Sequence, residues 1–185
     1  MVNTFCLDLK KNYQRPVIEL YGVSTIIDTG AMIPTFSLPI PLLEKAFKAK
    51  LVMEEASFGG FGGKCEGAIY SLENFQVGVL NFAPLEVFVP KIPVGNHPFL
   101  LSASMLYGTE YCFNTYESKF MVTIPDGFSL SRDFRLKYLQ GELYAQIDGV
   151  LLQDEIKPER KIDNYTQMDI EPLFVAENCP IYGRE

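Results

Sequence analysis

Apolar residues along this chain fall mostly in short runs that alternate with polar ones and are cut by Gly, Pro, Asn and Asp. A period of two, and not a helical period, predicts an all-β protein. Strands are expected over 4–9 and 16–21, in a run that turns at Gly22 and Val23 and ends on Asp28, and over 35–38, 51–58, 64–72, 75–79 and 85–89. Residues 81–84 are expected to turn between the last two. Pro90, Pro93 and Pro98 mark an irregular connection, after which a strand resumes at Phe99. Further strands are expected over 111–116, 120–124, 134–139, 143–147 and 150–152. One stretch breaks the rule. From Pro41, the apolar residues Leu42, Leu43, Ala46 and Phe47 fall on one stripe with Glu44, Lys45 and Lys48 outside it, which predicts a short helix packed into the core.

Within this pattern the run Ile26-Ile27-Asp28-Thr29-Gly30-Ala31 stands out. Two β-branched apolar residues suit a strand covered on both faces, and Gly30 is expected to take the positive φ that reverses the chain after the acid. A carboxylate held at a strand end among turn amides can serve as general acid or base. Asp-Thr-Gly is equally the sequence of an ordinary Asx turn. By average residue usage a chain of this length contains it by chance about 4 times in 100, and requiring the flanking aliphatic residues and Ala cuts that by on the order of a hundredfold.

A second stretch, Phe58-Gly59-Gly60-Phe61-Gly62-Gly63, lies between two expected strands and predicts a hairpin with a mobile tip. Taken alone it reads as a surface hairpin. A phosphate cradle is disfavoured, because Gly62-Gly63-Lys64 lacks a following Ser or Thr and opens a strand where that motif opens a helix.

The Asp28 run resembles the active-site loop of the retropepsin-like aspartic proteases. Two further segments extend the likeness: the glycine-rich hairpin, at the distance of that family's flap, and Leu100-Leu101-Ser102, which matches its second hydrophobic-hydrophobic-glycine segment except that Ser102 stands where glycine is usual. The resemblance implies a closed acid-protease barrel with one short helix over 1–125 and says nothing of 126–185, whose own β-prone pieces predict a β-rich extension docked on the same domain. It also implies a homodimeric aspartic endopeptidase, since the chain carries one Asp-Thr-Gly and the family needs two aspartates. Two carboxylates in contact share a proton, so one activates water while the other protonates the scissile carbonyl. Activity is then expected to be bell-shaped in pH and greatest on the acidic side of neutral. Thr29 is expected to brace the two loops and Gly30 to permit their approach, with Ala31, Met32, Phe58, Gly59, Gly60, Phe61, Gly62 and Gly63 lining the site of an extended peptide substrate. No metal or cofactor is implied. The alternative is a barrel-fold dimer that no longer hydrolyses anything and serves as a peptide-binding or assembly module.

Composition narrows the partners. The 185 residues suit one domain, or one domain with an extension, and 48% hydrophobic content is that of a globular protein. Net charge is −7 with no long run of Lys or Arg, which disfavours nucleic acid. No segment is apolar enough to span a membrane and residues 1–15 lack an apolar signal region, so a soluble cytoplasmic protein is expected. Cys6, Cys65, Cys112 and Cys179 are far apart and are expected as isolated, at least half-buried thiols. His97, the sole histidine, is expected in a loop with no catalytic role. Residues 156–185 are polar and rich in turn formers, and are expected to be partly disordered or to lie over the surface.

Overall fold

In the stretch Lys119–Ile124 every second residue, Phe120, Val122 and Ile124, is buried, so the alternation in sequence becomes an inner and an outer face. The computed structural model describes residues 3–60, 63–93 and 95–153. In chain order its strands are β1 (Asn3–Asp8), β2 (Val17–Leu20), β3 (Val23–Asp28), β4 (Thr35–Phe36), β5 (Lys50–Gly60), β6 (Gly63–Leu72), β7 (Phe75–Val77) and β8 (Leu80–Pro90). There follow β9 (Phe99–Ser102), β10 (Glu110–Asn114), β11 (Lys119–Ile124), β12 (Ser131–Leu139), β13 (Glu142–Ile147) and β14 (Val150–Leu151). Helix α1 (Ile40–Phe47) lies between β4 and β5, and a 3-10 helix, Ala103–Leu106, follows β9. The protein is all-β. No helix among the described residues is long and apolar enough to cross a membrane.

Two sheets result: a three-stranded one in the order β1-β11-β10, and an eleven-stranded one whose main path is β14-β13-β12-β8-β4-β9-β3-β2. Strand β8 is its hub. Different stretches of it pair with β12, β4, β6 and β7, and Leu85, Val87, Phe88 and Val89 are buried in succession because both faces are covered. Among the described residues no ladder joins β14 to β2, so the path is open where a closed barrel was expected. Branching at β8 accommodates the strands without closure.

The core is rich in phenylalanine. Phe36 stacks on Phe99 with ring centroids 4.1 Å apart, and Phe75 and Phe47 pack around them. The strands after residue 126 belong to this core, since Phe134, Leu136, Leu143, Ala145 and Ile147 are buried in it. They join the main sheet through the parallel pair β8 and β12. The register of that pair shifts between Arg132 and Phe134, and the buried Glu86 carboxylate on β8 accepts the Leu136 amide at 2.7 Å. Arg132 is 2% exposed and lies 4.0 Å over the Phe128 ring. It donates to Asp148 and to the Tyr107 carbonyl. The expectation for 156–185 lies outside the described residues.

Three local expectations change. The turn foreseen at 81–84 lies at Gly78 and Val79, where Val77 pairs with Leu80; Gly78 has φ +59° and sits against the Phe5 ring, leaving no room for a side chain. In α1 only Leu43 and Phe47 are buried while Leu42 and Ala46 are exposed, because an eight-residue helix lying on the sheet buries a narrower stripe than its sequence offers. Cys6 and Cys112 are exposed free thiols, lying on either side of Met121 across β1, β11 and β10. Alternation turns them outward, opposite the face that buries Phe120 and Val122.

Candidate functional site

Asp28 is the last residue of β3, whose Ile26 and Ile27 are both buried, so the strand is fixed by its own side chains up to the acid. Strand β9 lies parallel to it in the register Thr25 to Phe99, Ile26 to Leu100, Ile27 to Leu101 and Asp28 to Ser102. The Asp28 run and the Leu100-Leu101-Ser102 run, over seventy positions apart in sequence, are thus immediate neighbours.

Beyond Asp28 the chain turns at once. The Gly30 amide donates to Asp28 Oδ1 at 3.0 Å and the Ala31 amide to the Asp28 carbonyl at 3.2 Å, an Asx turn in which the carboxylate anchors its own loop. Gly30 does not adopt the left-handed φ expected of it, because these two hydrogen bonds close the turn without it. A Cβ added at Gly30 would make ordinary contact with Asp28 Oδ1 at 3.4 Å, so nothing within one chain requires glycine there. Asp28, Ala31 and Met32 are half-buried, while Thr29 and Gly30 are exposed.

The other side of the loop is tied to the 3-10 helix. The Ala103 amide donates to the Ala31 carbonyl at 3.0 Å, and Ser104 Oγ donates to the Met32 carbonyl at 2.6 Å. Ser102 Oγ lies 2.7 Å from Ser104 Oγ, with both residues buried. Ser104 was not singled out by sequence, although two serines inside an apolar run are a signal of a buried polar contact. A void of ≈ 10 Å³ lies behind, bounded by Ile27, Leu101, Ser102 and Met105 among others.

The glycine-rich hairpin is formed by β5 and β6, paired from Lys50 with Ser71 out to Gly60 with Gly63, with register shifts between Leu51 and Met53 and between Met53 and Ala56. Phe58 is half-buried and packs edge-on against Phe88 of β8, with centroids 4.9 Å apart, while Gly59 and Gly63 are exposed. Phe61 and Gly62 lie outside the described residues. At the base of the hairpin Gly67 pairs with Pro90. A groove of ≈ 360 Å³ runs beside that base, lined by Leu38, Ile40, Ala68, Tyr70, Val89 and Pro93 among others. Asp28 is not among its lining residues.

Two further groups lie near these elements. His97, in the loop before β9, shares a 2.9 Å hydrogen bond between Nδ1 and Ser24 Oγ of β3, and its ring is 5.8 Å from that of Tyr13. Cys65, on the hairpin opposite Phe58, has its thiol pKa pushed up by burial. No protein-family model, curated protein or solved structure gives a significant match to the chain.

Proposed function

We propose that the chain is a retropepsin-like aspartic endopeptidase acting as a homodimer, with Asp28 of one protomer and Asp28 of the partner subunit forming the catalytic pair. The observation that carries this reading is the parallel register of β3 with β9, which sets Asp28 opposite Ser102 and ties the Asp28 loop to the segment after it. An Asx turn alone would need neither the second segment nor the tie. Exposure of Thr29 and Gly30 beside a half-buried carboxylate leaves the loop open on the side where a second loop would meet it. Glycine at 30 has no steric reason within one chain, and close approach of a second backbone supplies one.

In the dimer one Asp28 accepts a proton from water as it attacks the scissile carbonyl. The other donates a proton to the carbonyl oxygen to give a gem-diol. As the C–N bond breaks, the first Asp28 passes the proton it took from water to the leaving nitrogen and the second takes one back from a gem-diol hydroxyl, releasing amine and acid. The substrate is an extended segment of a protein, bound as a strand, with Met32 and Phe58 offering apolar contacts. The hairpin of β5 and β6 closes over it.

The test is cleavage of a randomised peptide pool between about pH 4 and 7 by wild type and by Asp28→Asn at equal dimer concentration. Cuts made by the wild type and lost in the mutant are the expected outcome, with rates falling on both sides of an acidic optimum. Cuts that persist in Asp28→Asn refute the reading. A folded dimer that cuts nothing moves the assignment to a peptide-binding module of the same fold.

A further inference from the structure

We infer that the buried hydroxyl pair Ser102 and Ser104 is a positioning device for the Asp28 loop, an inference that rests on the proposed protease reading for its role in catalysis. The direction of the chain follows from chemistry. A carbonyl oxygen only accepts, so the single proton of Ser104 Oγ goes to the Met32 carbonyl at 2.6 Å. Ser104 then has only lone pairs left for its neighbour, and Ser102 Oγ must be the donor across 2.7 Å. The order is Ser102 to Ser104 to Met32, with Ser102 1% and Ser104 3% exposed. The Ala103 amide, between the two serines, holds the Ala31 carbonyl at 3.0 Å. Ala103 and Ser104 therefore grip the two residues at the far end of the loop that begins at Asp28, with Ser102 bonded behind Ser104.

This arrangement gives Ser102 a reason. A hydroxyl placed opposite Asp28 and sealed from water costs stability unless it is satisfied. Ser104 satisfies it and passes the interaction to the loop. The two serines are accordingly unequal. Ser102→Ala removes the outer hydroxyl and leaves the bond from Ser104 to Met32. Ser104→Ala removes that bond and strands both the Met32 carbonyl and the Ser102 hydroxyl. In the double variant Ser102→Ala/Ser104→Ala one of the stranded groups is gone.

Amide hydrogen exchange in the full chain is the primary readout, because it needs no substrate. The Ala31 and Ala103 amides report the loop and its tie, and the Leu136 amide, bonded to Glu86 on another part of the sheet, is the reference. Ser104→Ala is expected to speed exchange at Ala31 and Ala103 about tenfold or more relative to Leu136, Ser102→Ala by much less, and the double variant by no more than Ser104→Ala. Equal acceleration at all three amides, or none at Ala31 and Ala103, overturns the inference. Should Ser104→Ala fail to fold, Ser102→Ala carries the test: losing the donor behind Ser104 is expected to raise exchange at Ala31 and Ala103 relative to Leu136 by about twofold, and an unchanged ratio there overturns the inference. On the peptides cut by wild type, Ser104→Ala is expected to lower kcat with little change in KM. A wild type that cuts nothing refutes the protease reading and leaves the exchange result standing on its own.

Discussion

Two glycines on one hairpin are expected to respond in opposite ways to the same methyl group. Gly67 of β6 lies where the hairpin leaves the sheet, facing the end of β8. A Cβ built there collides with the Val89 carbonyl oxygen and comes within 2.6 Å of Phe88 Cζ and 2.9 Å of Pro90 Cα. Relaxed contacts between heavy atoms are about 3.5 Å, and two of these three atoms are backbone and cannot rotate aside. Strand β6 must therefore move from β8 by about 1 Å, straining the ladder there and the nearby bond from the Lys91 amide to the Glu66 carbonyl at 2.9 Å. Overpacking of this kind costs about 1–3 kcal/mol, and each weakened hydrogen bond adds up to about 1 kcal/mol. We expect Gly67→Ala to lose about 2–4 kcal/mol, a fall in Tm of roughly 5–15 °C for a chain of this size. Gly59, eight positions earlier on β5, has nothing within 4 Å of its Cβ position and no left-handed φ. Alanine there restricts only the unfolded chain, so Gly59→Ala is expected to be neutral or to add up to about 1 kcal/mol. Thermal and urea unfolding of both variants measure the difference. A Gly67→Ala protein that melts no lower than Gly59→Ala would refute the account of the hairpin base.

Two other expectations follow from buried or half-buried groups. Arg132→Met should destabilise the protein by about 1–2 kcal/mol, measured by urea unfolding, because it takes the Arg132 donor from the Tyr107 carbonyl, while the exposed Asp148 keeps the Asp133 amide at 2.9 Å; no measurable loss contradicts this. Cys6 and Cys112 should react with iodoacetamide well before Cys65, since burial raises the Cys65 thiol pKa and leaves less thiolate near neutral pH. Mass-spectrometric mapping of the labelled peptides decides that order, and Cys65 labelling at the rate of Cys6 overturns it.

The sequence by itself determined most of the strands and the strand that carries Asp28, because alternation and β-branched runs encode which side of a strand faces the core. It also determined the glycine hairpin, although β5 and β6 run on to Gly60 and Gly63, past the strand ends expected at 58 and 64. It misplaced the turn at Gly78. There Pro84 looked like a breaker, and the Phe5 ring that makes glycine obligatory comes from a distant part of the chain. It credited α1 with a wider buried stripe than the sheet beneath can cover, since periodicity records what a helix could bury and not what meets it. The tertiary structure alone decided three things. It set the parallel register of β3 with β9, the branching at β8 that leaves the sheet open, and the meeting of Ser102 and Ser104 with the Met32 carbonyl. Each depends on contacts between residues far apart in the chain, and local propensity carries no information about which distant strand will supply the partner.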